Sequence, residues 1–349
     1  MNPMALWKKL TDKYGFPKVC ISLMLAIFFI GAFMQKQDVA AMLADSTVRI
    51  AMNGILVLAM VPSIVSGTGL NFGLSLGIIT GLLAGCIAIE LDMRGMSAFL
   101  WAVVMSIPLS AIMGYAYGWI LNKVKGDEMT VGTYLGFSVV SLMSIGWLLL
   151  PFKSPEMIWA IGGAGLRTTI ALSGRYAKVL DDLFAIPFFG SKLPTGAVLF
   201  FALFCLLMWL FLKSKTGVAM AAAGDNPKFA AASGINVNRQ RMIGTVISTV
   251  LGGIGMLVYA QSFGFLQLYQ APLMMPFAAT AAVLIGGASA RKATIAHVVS
   301  GTILFQALLT VSLPVINAAM NVGNLSEIIR IIVSNGVILY ALTKVGGGH

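Results

Sequence analysis

Two short stretches carry residue types and spacings suited to recognition chemistry. The first is Gly224-Asp225-Asn226-Pro227, continuing through Ala230, Ala231, Ser233 and Gly234. Asn226 is a good N-cap, Pro227 fits the first helical position, and Gly234 fits the residue just past a helix end. Between them, Lys228 to Ser233 predicts about two turns, roughly 10 Å at 1.5 Å per residue. A short helix with its own punctuation suits docking into a partner's groove; the plainer reading is an ordinary basic loop. The second stretch is Gly69-Leu-Asn71-Phe72-Gly73-Leu-Ser75. An amide, a ring and a hydroxyl beside a helix break suit hydrogen bonding to a polar solute; the plainer reading is a capping or turn asparagine.

Covalent chemistry has no such foothold. No phosphate-binding G-x-x-x-x-G-K-[ST] run occurs, and Gly162-Gly163-Ala164-Gly165 shares only its glycines with one. The only histidines are His297 and His349, so neither a metal-ligand cluster nor a Ser-His-Asp set is visible. No catalytic residue and no metal site are expected. His297 is the one group inside an apolar run that would titrate near neutral pH, and a packing role is the plainer reading. The cysteines, Cys20, Cys86 and Cys205, are odd in number and lie in or beside apolar runs, which fits small buried hydrophobes better than disulfides.

The elements that must position these residues are membrane spans. Hydrophobic residues make up 58% of the 349 and charged residues 10%, against about 25% charged in a soluble domain. At about 20 residues per spanning helix, roughly ten spans fit. They are predicted near 19–34, 50–66, 70–91, 96–121, 130–150, 194–212, 242–262, 273–289, 293–313 and 327–343. The chain reads as one all-α, polytopic membrane domain over 1–349, with a long outer segment at 151–193 and an inner segment at 213–241. No small-residue cleavage site follows the apolar run Val19–Met34, so no cleavable leader is expected. The second span reads as short and carries Pro62, and the eighth is short and carries Pro276; broken helices belong inside a bundle.

Charge sets the orientation. With both termini inside, the inner segments hold 14 basic and four acidic residues, and the outer ones nine and eight. This predicts N-in, C-in topology by the positive-inside rule. It also accounts for the net +11 through an inner collar facing membrane lipid, with no call for nucleic acid. Gly69, Gly73, Gly77, Gly81 and Gly85 recur every four residues and predict a smooth stripe on the third span. Tight helix packing is the plainer reading of the stripe; a moving seam or pathway wall is the functional one. No carboxylate lies deep in a predicted span, which argues against an ion-driven carrier.

The run 224–241, GDNPKFAAASGINVNRQR, resembles the cytoplasmic coupling segment of ABC importer permeases that serve ribose and related sugars, nucleosides and branched-chain amino acids. Gly224, Asn226, Ala230, Ser233, Gly234, Ile235 and Val237 fit the pattern G-x-N-x-x-A-A-x-x-S-G-I-x-V, and Phe229 stands where its first alanine is expected. Ala281 to Gly287 and the apolar run before Lys213 are also similar. Two departures touch the presumed pathway: Asn71 replaces an acid in G-x-D-L-S-V-G-S, and Ala288-Ser-Ala-Arg291-Lys292 replaces a glycine-rich turn.

The resemblance implies a type II ABC importer-like permease in a bacterial inner membrane. Its partners would be ATPase subunits that carry ATP and magnesium, a second permease chain, and an extracytoplasmic solute-binding protein facing 151–193. No cofactor is expected on this chain. A simple sugar is the expected solute, with Asn71, Phe72 and Ser75 as pathway candidates; a nucleoside stacked on Phe72, Phe263 and Phe265 is the alternative. The competing classes are an ion-coupled carrier working without an ATPase and a structural membrane subunit.

Overall fold

The computed structural model describes residues 16–159 and 165–320, with isolated helical positions at 332 and 336. Helix α1 spans Phe16–Met34, α2 Val39–Leu58, and α3 Met60–Val65. A 3-10 turn at Phe72–Leu74 leads into α4, Ser75–Glu90; α5 is Gly95–Lys123 and α6 is Glu128–Leu149. Beyond the outer segment come α7 (Thr195–Lys213), α8 (Lys215–Asp225) and α9 (Pro227–Ala232), then α10 (Val237–Phe263), α11 (Gln270–Ile285) and α12 (Ile295–Met320).

Eight of the described helical runs are long and apolar enough to cross a membrane, and α11 is a shorter apolar helix. The predicted span 327–343 lies outside the described residues. The second span corrects the sequence reading. It runs from Val39 to Val65 as 27 residues, because α2 and α3 meet at Ala59 with helical backbone angles. Asp45 and Arg49 disguised its first turns as loop. Both are exposed, and Asp38 caps the helix by accepting from the Ala41 amide at 3.0 Å. The backbone leaves the helix only after Pro62, at Gly67 and Gly69, where φ is +80° and +77°.

Burial separates centre from rim. In the apolar stretch of α4, 83% of residues are buried, against 11% in α1. Helix α10 is the hub, packing on α5, α4, α2 and α3, while α11 lies against α12 and α2. Small residues permit these approaches. A Cβ on Gly77 would meet the Thr249 carbonyl, and one on Gly81 the Gly253 carbonyl, both on α10. Gly69 and Gly73 do not extend that stripe, since the helix starts only at Ser75. Gly69 faces Met129, and Gly73 makes room for the Tyr117 ring.

The outer segment corrects the all-α reading. It contains β1 (Thr169–Ala171), β2 (Ile186–Phe188) and β3 (Ser191–Leu193), and β4 follows α10 at Phe265–Gln267. β1 pairs antiparallel with β4, and β2 with β3. Among the described residues of this segment no helix forms.

Candidate functional site

The end of the bundle that carries 213–241, termed inner after the charge rule, is built around α8 and α9. Ser214 caps α8 by accepting from the Gly217 amide at 3.2 Å. The helix then returns to the bundle, where Gly224 seats on the chain break after α3. A Cβ on Gly224 would strike the Val65 carbonyl, and one on Gly67 would lie 2.9 Å from the Gly224 Cα. The two glycines therefore need each other. The Asn226 side-chain oxygen accepts from the Phe229 amide at 3.0 Å, and Pro227 opens α9. Gly234, at φ +80°, ends it, and the Ile235 amide donates to the Ala230 carbonyl at 2.9 Å. The chain continues into α10 through Asn236, which accepts from the Arg239 amide at 3.0 Å.

Only Ala230 of α9 is buried. Asp225, Asn226, Pro227, Ala231, Ser233 and Gly234 are exposed, and so is the Phe229 ring at 66%. The Phe229 ring is thus an apolar group left exposed beside Lys228.

Behind α9 lies a pair that the linear sequence does not announce. The Arg241 guanidinium donates to Glu128 at 2.5 Å and to the Leu121 carbonyl at 3.2 Å. Both partners of this ion pair are largely buried. One side chain thus ties the first turn of α10 to the end of α5 and the start of α6. Asn122 reinforces the tie by donating to the Asn238 carbonyl at 2.9 Å. A cavity of about 460 Å³ opens beside it, lined by Gly67, Thr68, Glu128, Asp225, Pro227 and Arg291 among others.

The second stretch lies deep in the bundle. The Asn71 amide donates to Ser248 at 2.7 Å, and Ser248 donates to the Ala59 carbonyl at 2.6 Å. The Asn71 oxygen is buried without a partner. Ser75 donates to the Pro272 carbonyl at 2.6 Å, joining α4 to α11. Phe72 packs on Phe277 with ring centroids 5.5 Å apart, and Phe277 on Phe137 at 6.1 Å. Asn71 makes no capping bond, so it is a tie between helices rather than a turn asparagine. The donors of Asn71 and Ser75 are both used within the protein. Gly85, the last of the glycines, faces the buried Tyr176 hydroxyl.

The opposite end of the bundle, outer by the same charge rule, is stapled by charge. Arg175 donates to both Glu156 oxygens, at 2.8 and 3.0 Å, and to Asp92. Its hydrogen bonds hold both carboxyls below their usual range. Glu90 accepts from the Lys153 and Ser154 amides, fastening the start of the segment. Asp181 accepts from Gln261 at 3.1 Å and Ser262 at 2.8 Å, and burial pushes its carboxyl up despite them. A cavity of about 390 Å³ sits beside the β1–β4 pair, lined by Thr168, Thr169, Gln267, Tyr269 and Gln270. The aromatic group Tyr259, Phe263 and Phe265 lies at the same end, with Phe263 and Phe265 exposed.

Of the remaining sequence candidates, His297 lies in the first turn of α12, and its Nδ1 is buried without a partner. Gly165 has φ +89°, while Gly162 to Ala164 lie outside the described residues. The three cysteines are free. Among the described residues no group of three or more His, Cys, Asp or Glu side chains is placed to hold a metal.

Comparison with known proteins gives these features a setting. The uncharacterized protein MG121 homolog of Mycoplasma pneumoniae is 28% identical over 174 residues, 48% of this chain and 49% of that protein. The autoinducer 2 import system permease protein LsrC of Photorhabdus laumondii is 25% identical over 56% of each chain. The guanosine ABC transporter permease protein NupQ of Bacillus subtilis is 28% identical over 32% of this chain and 40% of its own. The chain thus spans about half the length of the curated relatives it matches. The family described as the permease component of the branched-chain amino acid transport system matches over residues 42–342. With that match covering most of its length, the chain belongs to this permease family and is a multi-pass protein of the inner membrane.

Proposed function

We propose that this chain is the translocation subunit of an ATP-driven importer, with α9 as the helix that docks on a separate ATPase. One observation carries the reading: a two-turn helix, capped at both ends, presents an exposed Phe229 while Gly224 seats the preceding turn on the α3 break. ATP and magnesium act on the partner. Closure of two ATPase subunits displaces α9 as a rigid piece, and the Gly224–Gly67 seat passes that motion to the bundle. Two permease chains then switch a shared pathway between inward- and outward-open states, in N-in, C-in orientation, with the 151–193 segment facing a solute-binding protein.

The solute in this reading is small, polar and uncharged, a simple sugar, because the interior offers the unpartnered Asn71 oxygen as an acceptor and few charges. A nucleoside is the second reading. The aromatic group around Phe263 favours it, as does the relative named for guanosine transport.

Affinity purification in mild detergent, followed by mass spectrometry, tests the coupling role. The unaltered chain should retain an ATPase with a phosphate-binding loop, and Phe229→Asp should lose it while remaining monodisperse. Equal retention by the variant would remove α9 from the interface. A chain that purifies alone and transports alone in liposomes would establish the ion-coupled carrier instead.

A further inference from the structure

A second feature of the basic face is separate from α9. Lys18, in the first turn of α1, donates to the Ser300 hydroxyl on α12 at 2.9 Å. Ser300 in turn donates to the Gly286 carbonyl at 3.4 Å, where α11 ends. Lys18 and Lys292 both lie close enough to His297 to act on its ring electrostatically. Among the described residues neither lysine has a carboxylate within ion-pair distance. The His297 Nδ1 is buried and unpartnered at the same place. Among the described residues, two ammonium groups, a hydroxyl and an imidazole therefore share this region with no carboxylate in ion-pair contact.

The surroundings say what kind of anion fits. Lys123 lies 3.6 Å from the centre of the Trp119 ring and Lys213 3.8 Å from that of Trp209. Such Lys–Trp pairs belong at the level where a membrane meets water. Lys18 and Lys292 occupy the same end of the bundle. Helix α1, which supplies Lys18, buries only 11% of its apolar stretch within this chain and leaves an apolar side open. A basic cluster between spans at the headgroup level is suited to a lipid phosphate.

We infer that Lys18, Lys292, His297 and Ser300 form a binding site for the phosphate headgroup of an anionic phospholipid, wedged between α1 and α12. The phosphate replaces the Lys18–Ser300 contact and takes both ammonium groups, while the acyl chains run down the exposed side of α1. The site does not depend on α9 or on an ATPase.

The test is native mass spectrometry of the full chain, delipidated and then supplied with phosphatidylglycerol, with phosphatidylcholine, or with inorganic phosphate. The chain should retain phosphatidylglycerol over phosphatidylcholine and ignore millimolar inorganic phosphate. Each lysine should contribute roughly fivefold at low ionic strength, so Lys18→Gln with Lys292→Gln should cut retention by more than tenfold. Lys213→Gln, which alters charge elsewhere on the same face, should leave it unchanged. Equal losses in all these variants would overturn the site in favour of a general charge effect. Displacement of the lipid by inorganic phosphate would overturn the lipid assignment.

Discussion

The two ends of the bundle hold their charges differently. At the inner end, Arg241 and Glu128 are both largely out of water. At the outer end, Arg175 is equally buried, but its acids are exposed, Asp92 at 70% and Glu156 at 46%. A buried pair has few alternatives, because either partner left alone keeps an uncompensated charge. A half-exposed pair can hand its acid to water at little cost. The inner end is thus a fixed joint, and the outer end a fastening that solution conditions can loosen.

The largest expected effect is at the inner joint. Arg241→Ala strands Glu128 and should cost about 3–5 kcal/mol, read as a fall in thermal midpoint in detergent. Adding Glu128→Gln to it should recover much of that loss. If the single and double variants melted alike, the pair would be no more structural than its outer counterpart.

A pair of glycines sharpens the contrast at smaller scale. Gly224→Ala drives a Cβ into the Val65 carbonyl, an overpacking cost of about 1–3 kcal/mol, and should impair transport in reconstituted membranes. Gly174, in the outer segment, has φ +75° but nothing within 4 Å of a Cβ. Gly174→Ala should cost about 1 kcal/mol of backbone strain and leave transport intact. Equal transport defects would show that both ends are levers.

Acid titration should separate forces within the outer end itself. Asp92 and Glu156 titrate below their usual range through their bonds to Arg175. Their stabilisation is present above about pH 4 and lost as pH falls through their lowered values. Asp181 runs the other way. Burial raises its carboxyl, so ionising it opposes the fold; that opposition is full above its raised value and is relieved as pH falls toward 4. Asp181→Asn keeps an acceptor for Gln261 and Ser262 and should flatten the decline in thermal midpoint from mildly acidic to neutral pH. Parallel profiles for variant and parent would discard the assignment.

What the sequence disclosed followed from range. The caps of α9 are local, so Asn226, Pro227 and Gly234 could be read in order along the chain. Most spans were legible because their apolar runs are long. The joint was not legible. Arg241 and Glu128 are 113 residues apart, and each sat in a segment already explained as polar inner loop. The glycine period was real, but Ser75 begins the helix, so Gly69 and Gly73 serve a turn that periodicity cannot see. Asp45 and Arg49 hid the start of the second span, since two exposed charges on a helix face look like loop in one dimension. The three-residue strands were too short for any alternation to register.

The unequal seating of α8 and α9 has a corollary. Among the named inner residues, Gly224 is wedged against the Val65–Gly67 backbone, whereas α9 touches the rest of the protein mainly through Ala230. In the proposed coupling role, the exposed face of α9 is free to differ with the ATPase it meets, while the Gly224–Gly67 seat is fixed by its close backbone approach. On that reading, six residues form a separable module: replacing Pro227–Ala232 with a relative's segment should change which ATPase is retained and leave the packing of the spans intact.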